Sequence, residues 1–204
     1  MRILLVGASG TLGRAVAAEL GTRHHIYTAG RNSGGVRLDI GDPASLRRAM
    51  AELAPLDAVV CTAGEVAFAP LATIQPEPLS ESAYTLGLTS KVLGQVNLAL
   101  AARDHLVDGG SITLTSGILA ELPVAGGSSA SMCDAAVEGF VRAAAAELLR
   151  GIRINAVSPS ILTESLPAFG SLFRGFEPVP AARAALAYSR SVEGIQTGQV
   201  FRVC

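Results

Sequence analysis

The sequence predicts a doubly wound α/β fold, in which helices cover both faces of a parallel β-sheet. Short apolar runs of strand length alternate with alanine- and leucine-rich helical stretches along all 204 residues. Strands that are separated by helices require crossover connections, and these produce a parallel sheet whose faces are both buried. We therefore expect a single domain over residues 1–204, with its ligand site beyond the carboxyl ends of the strands.

The predicted elements follow one another without a repeat or a linker. Asp42 and Pro43 begin one helix, because aspartate is a preferred N-cap and proline fits the first helical position. Gly109 and Gly110 form a break after another helix. The predicted strands are Arg2 to Val6, Ile26 to Ala29, Leu56 to Cys61, Ser111 to Thr115, Ile152 to Val157 and Gln199 to Val203. The predicted helices are Thr11 to Leu20, Pro43 to Ala54, Ser82 to His105, Ser128 to Arg150 and Pro180 to Ser191.

Composition and charge exclude several classes of protein. Hydrophobic residues make up 50% of the chain and charged residues 16%, which excludes a disordered chain. The formal net charge is −1 and the basic residues are scattered, so we expect no nucleic-acid partner. No apolar run is long enough to span a membrane, and we expect neither a membrane partner nor a signal peptide. The three cysteines are far apart, so we expect no metal site or disulfide and a cytoplasmic protein.

A glycine-rich turn directly follows the first predicted strand and leads into a helix. Glycines in such a turn allow a tight bend, close approach of the backbone to a phosphate, and close packing of helix on strand. The helix N-terminus supplies free N–H groups and a partial positive charge for a pyrophosphate. We therefore predict a Rossmann-type dinucleotide site, and the residues that we assign to it in the turn are Gly7, Ser9, Gly10, Thr11, Leu12 and Gly13.

The end of the second predicted strand indicates which dinucleotide binds. A site for NAD has a carboxylate here for the ribose 2′-hydroxyl, and the residues that directly follow the strand contain none. Arg31 instead offers a guanidinium suited to a 2′-phosphate, with Asn32 and Ser33 as neutral donors and Arg14 within reach. We therefore predict NADP(H) rather than NAD(H). The residues expected to pack around the adenine are Asp39 and Ile40.

Further motifs follow the glycine-rich turn along the chain. They are Cys61-Thr62-Ala63-Gly64, the segment from Gly151 to Pro159, Thr163, and Thr197-Gly198-Gln199. In this order they resemble the motifs of the short-chain dehydrogenase/reductase family, over nearly the whole chain. The resemblance implies a sheet of about seven strands, a nicotinamide cofactor, and hydride transfer to or from a carbonyl or alcohol. It also implies that the cofactor contacts Thr62, Ala63 and Gly64, and that the nicotinamide lies near Pro159 and Thr163.

The catalytic residues of that family are largely replaced. The resemblance implies a Tyr-x-x-x-Lys pair with a serine and an asparagine, in which the tyrosine exchanges a proton with the substrate oxygen. Ala130 stands at the tyrosine position and Asp134 at the lysine position. Ser116 lies about one residue before the serine position, and Lys91 occupies the asparagine position. The candidate catalytic residues are therefore Ser116, Lys91 and Asp134, and we expect ordinary carbonyl reduction to be impaired.

Lys91 is the only lysine in the chain. One interpretation is an ion pair between Lys91 and Asp134 inside the cofactor cleft. The other is a surface lysine and a solvated aspartate, which would contribute little to stability. Ser116 either orients a substrate or bonds to local backbone. Tyr84 and Tyr188 either replace the missing phenol or pack in the core or at an interface.

Three functions fit these residues. The first is an NADP(H)-dependent oxidoreductase for a carbonyl or quinone-type small molecule, in which Ser116 and Lys91 contact the substrate oxygen. Lys91 would stabilise the charge on that oxygen, and water would deliver the proton. The second is a non-redox dehydratase or isomerase that uses the same pocket. The third is a regulatory protein that binds NADP(H) without turnover. The long helices that begin at Ser82 and Ser128 form subunit contacts in the resembling family, so we expect a homodimer or homotetramer.

Overall fold

The strands of the computed structural model, which describes residues 1–204, form one parallel sheet. The order of the seven strands is β3-β2-β1-β4-β5-β6-β7, and every neighbouring pair is parallel. Helices cover both faces, which confirms the predicted doubly wound fold. The strands are β1 Arg2–Val6, β2 His25–Gly30, β3 Val36–Arg37, β4 Leu56–Cys61, β5 Leu106–Thr115, β6 Arg153–Pro159 and β7 Val200–Val203.

The helices connect these strands in the predicted order. They are α1 Thr11–Gly21, α2 Pro43–Leu53, α3 Thr85–Gly87, α4 Gly94–Arg103, α5 Ser128–Glu147, α6 Leu166–Phe169 and α7 Ala181–Glu193. The predicted N-cap of α2 is confirmed, since Asp42 Oδ1 accepts a hydrogen bond from the backbone N–H of Ala44 at 2.8 Å. No helix is both long and apolar enough to cross a lipid bilayer.

The central strands are buried on both faces of the sheet, as their continuous apolar sequences predict. Leu4 and Val6 of β1 belong to the larger core cluster, which is covered by α2, α4 and α5. Ile3 and Leu5 belong to the second cluster, which is covered by α1 and α7. Alternate residues of one strand therefore build two cores. Burial on both faces fixes the position of β1 within the sheet, and therefore the position of the glycine-rich turn that follows it.

In the sheet, one predicted strand boundary is wrong and one short strand was not predicted, because local exceptions interrupt the regular spacing. β5 begins at Leu106 rather than at Ser111, since Gly109 and Gly110 lie within the strand instead of breaking the chain before it. The pairing of β4 with β5 shifts register at this point, and Gly109 has φ +73°. A β-bulge of this kind accommodates the glycines inside a strand. β3 has two residues, too few for any periodicity, and it was not among the predicted strands.

The predicted helix from Ser82 to His105 is divided in the structure. It begins later, at Thr85, and a π-helical stretch, Leu88–Leu93, joins α3 to α4. The predicted helix from Ser128 to Arg150 ends earlier, at Glu147, because the chain there turns extended and then left-handed. The π-helical stretch matters for the site because it carries Lys91.

The strand order places a crevice at the carboxyl end of β1. β1 pairs with β2 on one side and with β4 on the other, so the direction in which the chain winds reverses here. Ligands of open α/β sheets bind in such a crevice. The segments that follow Val6, Gly30 and Cys61 therefore meet at one edge of the sheet.

Candidate active site

The glycine-rich turn after β1 is too tight for side chains at two of its positions. Gly7 has φ +85°, and a Cβ there would lie 2.8 Å from the hydroxyl oxygen of Thr62. A Cβ on Gly13 would clash with the carbonyl oxygen of Gly7. Thr62 holds the turn, because its hydroxyl lies 3.1 and 3.2 Å from the carbonyl oxygens of Val6 and Gly7. The turn leads into α1, whose first N–H groups have no side-chain cap, so they are free to bind an anion.

A cavity of about 600 Å³ opens beside this turn, at the carboxyl ends of β1, β2 and β4. The uncapped helix, the glycine turn and this volume together fit a dinucleotide. The predicted cofactor residues that line the cavity are Gly7, Ser9, Arg31, Asn32, Ser33, Asp39, Ile40, Ala63 and Gly64. The remaining predicted cofactor residues do not line it, and they are Gly10, Thr11, Leu12, Gly13, Arg14, Thr62, Pro159 and Thr163.

Arg31 lies at the rim of this cavity with the carboxylate of Glu65 as its partner. Arg31 Nη2 lies 3.3 Å from Glu65 Oε1, and both side chains are more than half exposed. Ion pairs this exposed contribute little free energy, so Arg31 can exchange Glu65 for a phosphate. Below it, the hydroxyls of Ser33 and Ser9 are 2.8 Å apart and link the end of β2 to the glycine-rich turn. Arg14 is exposed and donates a hydrogen bond to the backbone carbonyl oxygen of Ser9.

Asp39 and Ile40 also line the cavity. Asp39 Oδ1 accepts a hydrogen bond from the backbone N–H of Gly41 at 2.9 Å, which closes a local turn. Ile40 packs against Gly94, where a Cβ would lie 2.8 Å from Ile40 Cδ1. The glycine at position 94 therefore lets α4 approach the cofactor cleft closely.

Lys91 forms a buried ion pair with Asp134. Lys91 Nζ lies 2.5 Å from Asp134 Oδ1, and the two side chains are 14% and 4% exposed. The ammonium also lies 3.3 Å from the backbone carbonyl oxygen of Ser116. The ion pair of Lys91 and Asp134 is therefore confirmed, and the interpretation as two solvated surface residues is wrong. Its predicted position inside the cofactor cleft is not confirmed, since both residues line a second cavity and neither lines the cleft. Lys91 lies on the π-helical stretch. Short π-helical segments of this kind are frequent at functional sites.

Lys91 also adjoins the cofactor cleft. Gly64, which lines that cleft, has φ +138°, and a Cβ there would lie 3.0 Å from the Cα of Lys91. The loop after β4 therefore packs directly on the backbone of Lys91. The ion pair stands at the boundary between the cofactor cleft and a second cavity.

This second cavity has about 260 Å³ of volume, apolar walls and a polar floor. Lys91, Asp134 and Ser116 line it, together with Ala130 at the family's tyrosine position. The apolar walls include Phe68, Ile118, Leu162, Phe169 and Phe173. Of the two residues expected near the nicotinamide, Pro159 lines this cavity, whereas Thr163 lies outside its lining. We call this cavity the apolar pocket.

Ser116 reaches the floor of the apolar pocket, but its hydroxyl is already engaged. The residue is 3% exposed, and its Oγ donates a hydrogen bond to Oε1 of Glu138 at 3.1 Å. A second contact, with the carbonyl oxygen of Val157, is 3.5 Å long. The role of Ser116 in orienting a substrate stays a prediction, and Glu138 is its partner in the structure.

Neither candidate replacement phenol lines the apolar pocket. Tyr188 is fully buried in the second core cluster, and its hydroxyl lies 2.6 Å from Thr115 Oγ1. Burial raises the pKa of Tyr188 far above its ordinary value. The Tyr84 hydroxyl lies 3.1 Å from Ser128 Oγ. Tyr188 is thus a core residue, as the second interpretation of the sequence held.

Sequence reasoning missed two acidic residues at the site. Glu65 directly follows the motif Cys61-Thr62-Ala63-Gly64, and a carboxylate so close to a phosphate-binding turn was a signal. Glu138 lies four residues after Asp134 on the same helix, so the two share a face of α5. That spacing placed Glu138 on the same helical face as Asp134, but it did not distinguish a buried glutamate from an exposed one.

Comparison with known proteins identifies the family of this chain. A family model described as enoyl-(acyl carrier protein) reductase matches residues 8–198. The chain belongs to the short-chain dehydrogenase/reductase family. Members of this family are oxidoreductases that bind nicotinamide cofactors.

Solved structures of this family superpose on the whole chain. The protein lin1944 from Listeria innocua is 45% identical, with a TM-score of 0.95 and full coverage of both chains. A small-chain dehydrogenase in complex with NADPH is 25% identical, with a TM-score of 0.85, over 100% of this chain and 96% of that one. A curated relative, hydroxynaphthalene reductase arp2 of Aspergillus fumigatus, is 36% identical over 106 residues. That alignment covers 52% of this chain and spans only 37% of the relative's length.

Proposed function

We propose that this member of the family is an NADP(H)-dependent oxidoreductase that acts on a carbonyl or quinone-type small molecule with a non-standard proton donor. The observation that carries the proposal is the Lys91–Asp134 pair, 2.5 Å apart, where the cofactor cleft adjoins the apolar pocket. An ammonium that is fixed in a mostly buried site stabilises negative charge on a substrate oxygen. No tyrosine lines this pocket, so the proton must come from another group or from water.

The residues of the cofactor cleft support NADP(H). The glycine-rich turn and the N-terminus of α1 would hold the pyrophosphate, with Thr62, Ala63 and Gly64 beside it. Arg31 would bind the 2′-phosphate, with help from Arg14, Asn32 and Ser33. When bound, the reduced cofactor supplies a hydride. A neighbour that is 25% identical was solved with NADPH, and this supports the same cofactor here.

The apolar pocket supports an uncharged, flat substrate. Three of its side chains are phenylalanines, and its one lysine is neutralised by Asp134. A carbonyl conjugated to an aromatic system requires less help from an acid, because its reduced anion is already stabilised. The relative from Aspergillus fumigatus is named for a hydroxynaphthalene, and this supports a fused-ring substrate.

A second copy of this chain is the proposed protein partner. A groove between α4 and α5 is lined by Ala99, Leu100, Phe140 and Ala144, and Leu100 is 44% exposed. Small side chains at this groove permit close contact between helices. The proposed homodimer or homotetramer would elute above the monomer mass in light scattering at micromolar concentration, and a monomer there would contradict it.

NADP(H) binding without turnover is the second candidate function. Ala130 replaces the family's tyrosine, and Asp134 neutralises the only lysine. The Ser116 hydroxyl also donates its hydrogen bond to Glu138 rather than into the apolar pocket. A regulatory protein needs the cleft alone, and these features favour this alternative over a dehydratase or isomerase.

Two measurements separate these functions. Fluorescence titration with NADPH and NADH tests whether the cleft binds a cofactor and which one. NADPH oxidation with a panel of aldehydes, ketones and quinones then tests turnover. We expect NADPH to bind more tightly than NADH, and quinones or conjugated carbonyls to be reduced. Tight binding without oxidation of NADPH by any of the panel would instead support the regulatory function.

A further inference from the structure

The proposed function does not use a carboxyl group that lies behind Ser116. Glu138 is 4% exposed, and its one hydrogen bond is the 3.1 Å bond that it accepts from the Ser116 hydroxyl. Glutamate is rarely this deeply buried unless it is paired or has a function. Asp134, one helical turn earlier, has a close cation in Lys91 at 2.5 Å. Glu138 has no cation at comparable distance.

The one ion pair of Glu138 is longer and more exposed than that of Asp134. On its own helix, Arg142 Nη1 lies 3.6 Å from Glu138 Oε2, and the Arg142 side chain is 56% exposed. Lys91, on the neighbouring π-helical stretch, is engaged by Asp134. Arg202 of β7 is hydrogen-bonded to Glu121, and this bond is the main cause of the raised pKa of Arg202. The negative charge of Glu138 raises the pKa of Arg202 further. A hydroxyl is therefore the nearest polar neighbour of the Glu138 carboxyl group.

Three side chains on one face of α5 extend from the apolar pocket to solvent. Asp134, Glu138 and Arg142 are spaced four residues apart, so they lie one above the other. Asp134 lines the pocket, Glu138 is buried, and Arg142 is exposed. Ser116 both lines the pocket and bonds to Glu138. A continuous polar path therefore leads from the pocket, through Ser116 and Glu138, to the surface at Arg142.

We infer that Ser116 and Glu138 form the proton path to the substrate oxygen, an inference that rests on the oxidoreductase function proposed above. In the direction of reduction, a bound nicotinamide cofactor would supply the hydride that the carbonyl carbon accepts. The C=O π bond breaks, and its electron pair moves to the oxygen beside Lys91. The Ser116 hydroxyl, which donates to Glu138 Oε1 in the structure, turns to give its proton to this oxygen, and Glu138 passes to Ser116 a proton that it takes up from solvent on the Arg142 side. One hydride and one solvent proton therefore convert the carbonyl to an alcohol.

The path explains why the site can operate without a phenol. Ser116 is the group that touches the substrate, and Glu138 acts through it. A buried carboxyl group can hold and release a proton without rearrangement of the pocket, provided that solvent reaches its far side. Because the path returns to its starting state after each turnover, it requires no co-reactant other than the cofactor and one proton from solvent.

The first test compares rates with two electron acceptors, 4-nitrobenzaldehyde and 1,4-naphthoquinone. E138Q keeps the size of the side chain but cannot carry a proton, and we expect kcat with the aldehyde to fall about 10²-fold. The KM and the NADPH dissociation constant should stay unchanged. The loss with the quinone should be smaller, because the hydroquinone anion is less basic than an alkoxide. The matched control is E52Q, an exposed glutamate on α2, which should leave the rates unchanged.

Further variants distinguish a proton path from a structural contact. S116A should show the same loss as E138Q, and the double variant should lose no more than either single variant. The pH dependence of kcat should flatten in E138Q, and E138D should recover part of the rate. A merely structural hydrogen bond would lower the melting temperature without altering the pH profile.

A spectroscopic readout tests the path without turnover. Infrared difference spectra between two pH values, at both of which the protein stays folded, record the carbonyl stretch of protonated carboxyl groups. We expect one such band to be absent in E138Q, present in E52Q and shifted in S116A. Superimposable spectra of the parent protein and E138Q would overturn the inference. Reduction that is unaffected by E138Q would overturn the path alone, whereas NADPH binding without any reduction would overturn the proposed function together with it.

Discussion

The carboxylate of Asp134 occupies the space that a side chain at Gly117 would require. A Cβ added to Gly117 would lie 2.6 Å from Oδ2 and 3.2 Å from Cγ of Asp134. Gly117 has an extended backbone, with φ −177°, so its importance lies in this close approach and not in its dihedral angles. The observed position of Asp134, and therefore that of its partner Lys91, requires a residue without a side chain at position 117.

Substitution of Gly117 by alanine should destabilise the protein through this contact. The Asp134 carboxylate is held by Lys91 and cannot withdraw freely, so we expect the free energy of unfolding to fall by about 1–3 kcal/mol. Chemical denaturation measures this loss. Gly139→Ala is the matched control, because a Cβ at this exposed helical glycine meets nothing within 4 Å, and it should be neutral or stabilising. If Gly117→Ala is as stable as the parent, or is equally harmful when Asp134 is alanine, the contact is not responsible.

The Lys91–Asp134 pair should show strong coupling in a double-mutant cycle. Lys91→Met and Asp134→Asn each leave a mostly buried charge without its partner, which costs on the order of 3 kcal/mol. The double variant removes both charges and should lose less than the sum of the single losses. Unfolding free energies of the four proteins measure the coupling. Additive losses would mean that the two residues do not interact in solution.

The sequence predicted the parts of the site that depend on local backbone geometry. The glycine-rich turn was recognisable because only glycine fits at positions 7 and 13. Lys91 was placed near Asp134 through the family resemblance, in which the two residues stand at the asparagine and lysine positions of one site. Glu138 was not recognised, because a glutamate four residues before Arg142 has the pattern of an ordinary exposed helical pair. Gly117 and Asp134 lie on different segments of the chain, so the hydrophobic periodicity of the sequence could not predict their contact.

Arg31 should determine the preference for NADP(H). A charge-assisted hydrogen bond is worth about 1.5–3 kcal/mol, so we expect NADPH to bind about 10- to 100-fold more tightly than NADH. Arg31→Asp should reverse the order, since a carboxylate repels the 2′-phosphate and accepts from the 2′-hydroxyl. Fluorescence titration gives both dissociation constants. Arg47→Asp on α2 makes the same charge change at an exposed residue outside the cleft lining and serves as the control. Equal affinities in the parent protein would remove Arg31 from the phosphate site.

The thiol of Cys61 should resist modification in the folded protein. Burial raises the pKa of Cys61 from its ordinary value of 9.0 to about 12, whereas Cys204 is exposed. Iodoacetamide at pH 8 should therefore modify Cys204 and leave Cys61 unmodified until the protein unfolds, which peptide mass spectrometry detects. Between pH 9.0 and about 12 the unfolded chain loses this proton and the folded chain keeps it, so stability should fall as pH rises. Cys61→Ala should reduce this alkaline slope and Cys204→Ala should not. Rapid modification of Cys61 at pH 8 would contradict its burial.

Rebuilding the family's catalytic pair should restore reduction of simple ketones. The triple variant Ala130→Tyr, Asp134→Lys and Lys91→Asn supplies a phenol and moves the lysine to its usual position in the family. Because a positioned general acid contributes about 10²–10⁴-fold, we expect cyclohexanone reduction to increase by at least 10²-fold. The same variant with Ala130→Phe has the ring without the hydroxyl and is the control. Fast ketone reduction by the parent protein, unchanged in Ser116→Ala, would place the active site elsewhere.

Because Lys91 and Asp134 neutralise each other, the binding of the substrate and the binding of the cofactor should respond differently to salt. The floor of the apolar pocket carries a dipole but no net charge, so it exerts little long-range attraction on an uncharged molecule. Association of such a substrate should be nearly independent of ionic strength. The side chain of Arg31 is 64% exposed at the rim of the cofactor cleft. Its positive charge attracts the negatively charged dinucleotide, and dissolved salt screens this attraction. A change in ionic strength would therefore alter the fraction of the protein that has cofactor bound, while the affinity for the uncharged substrate stays constant.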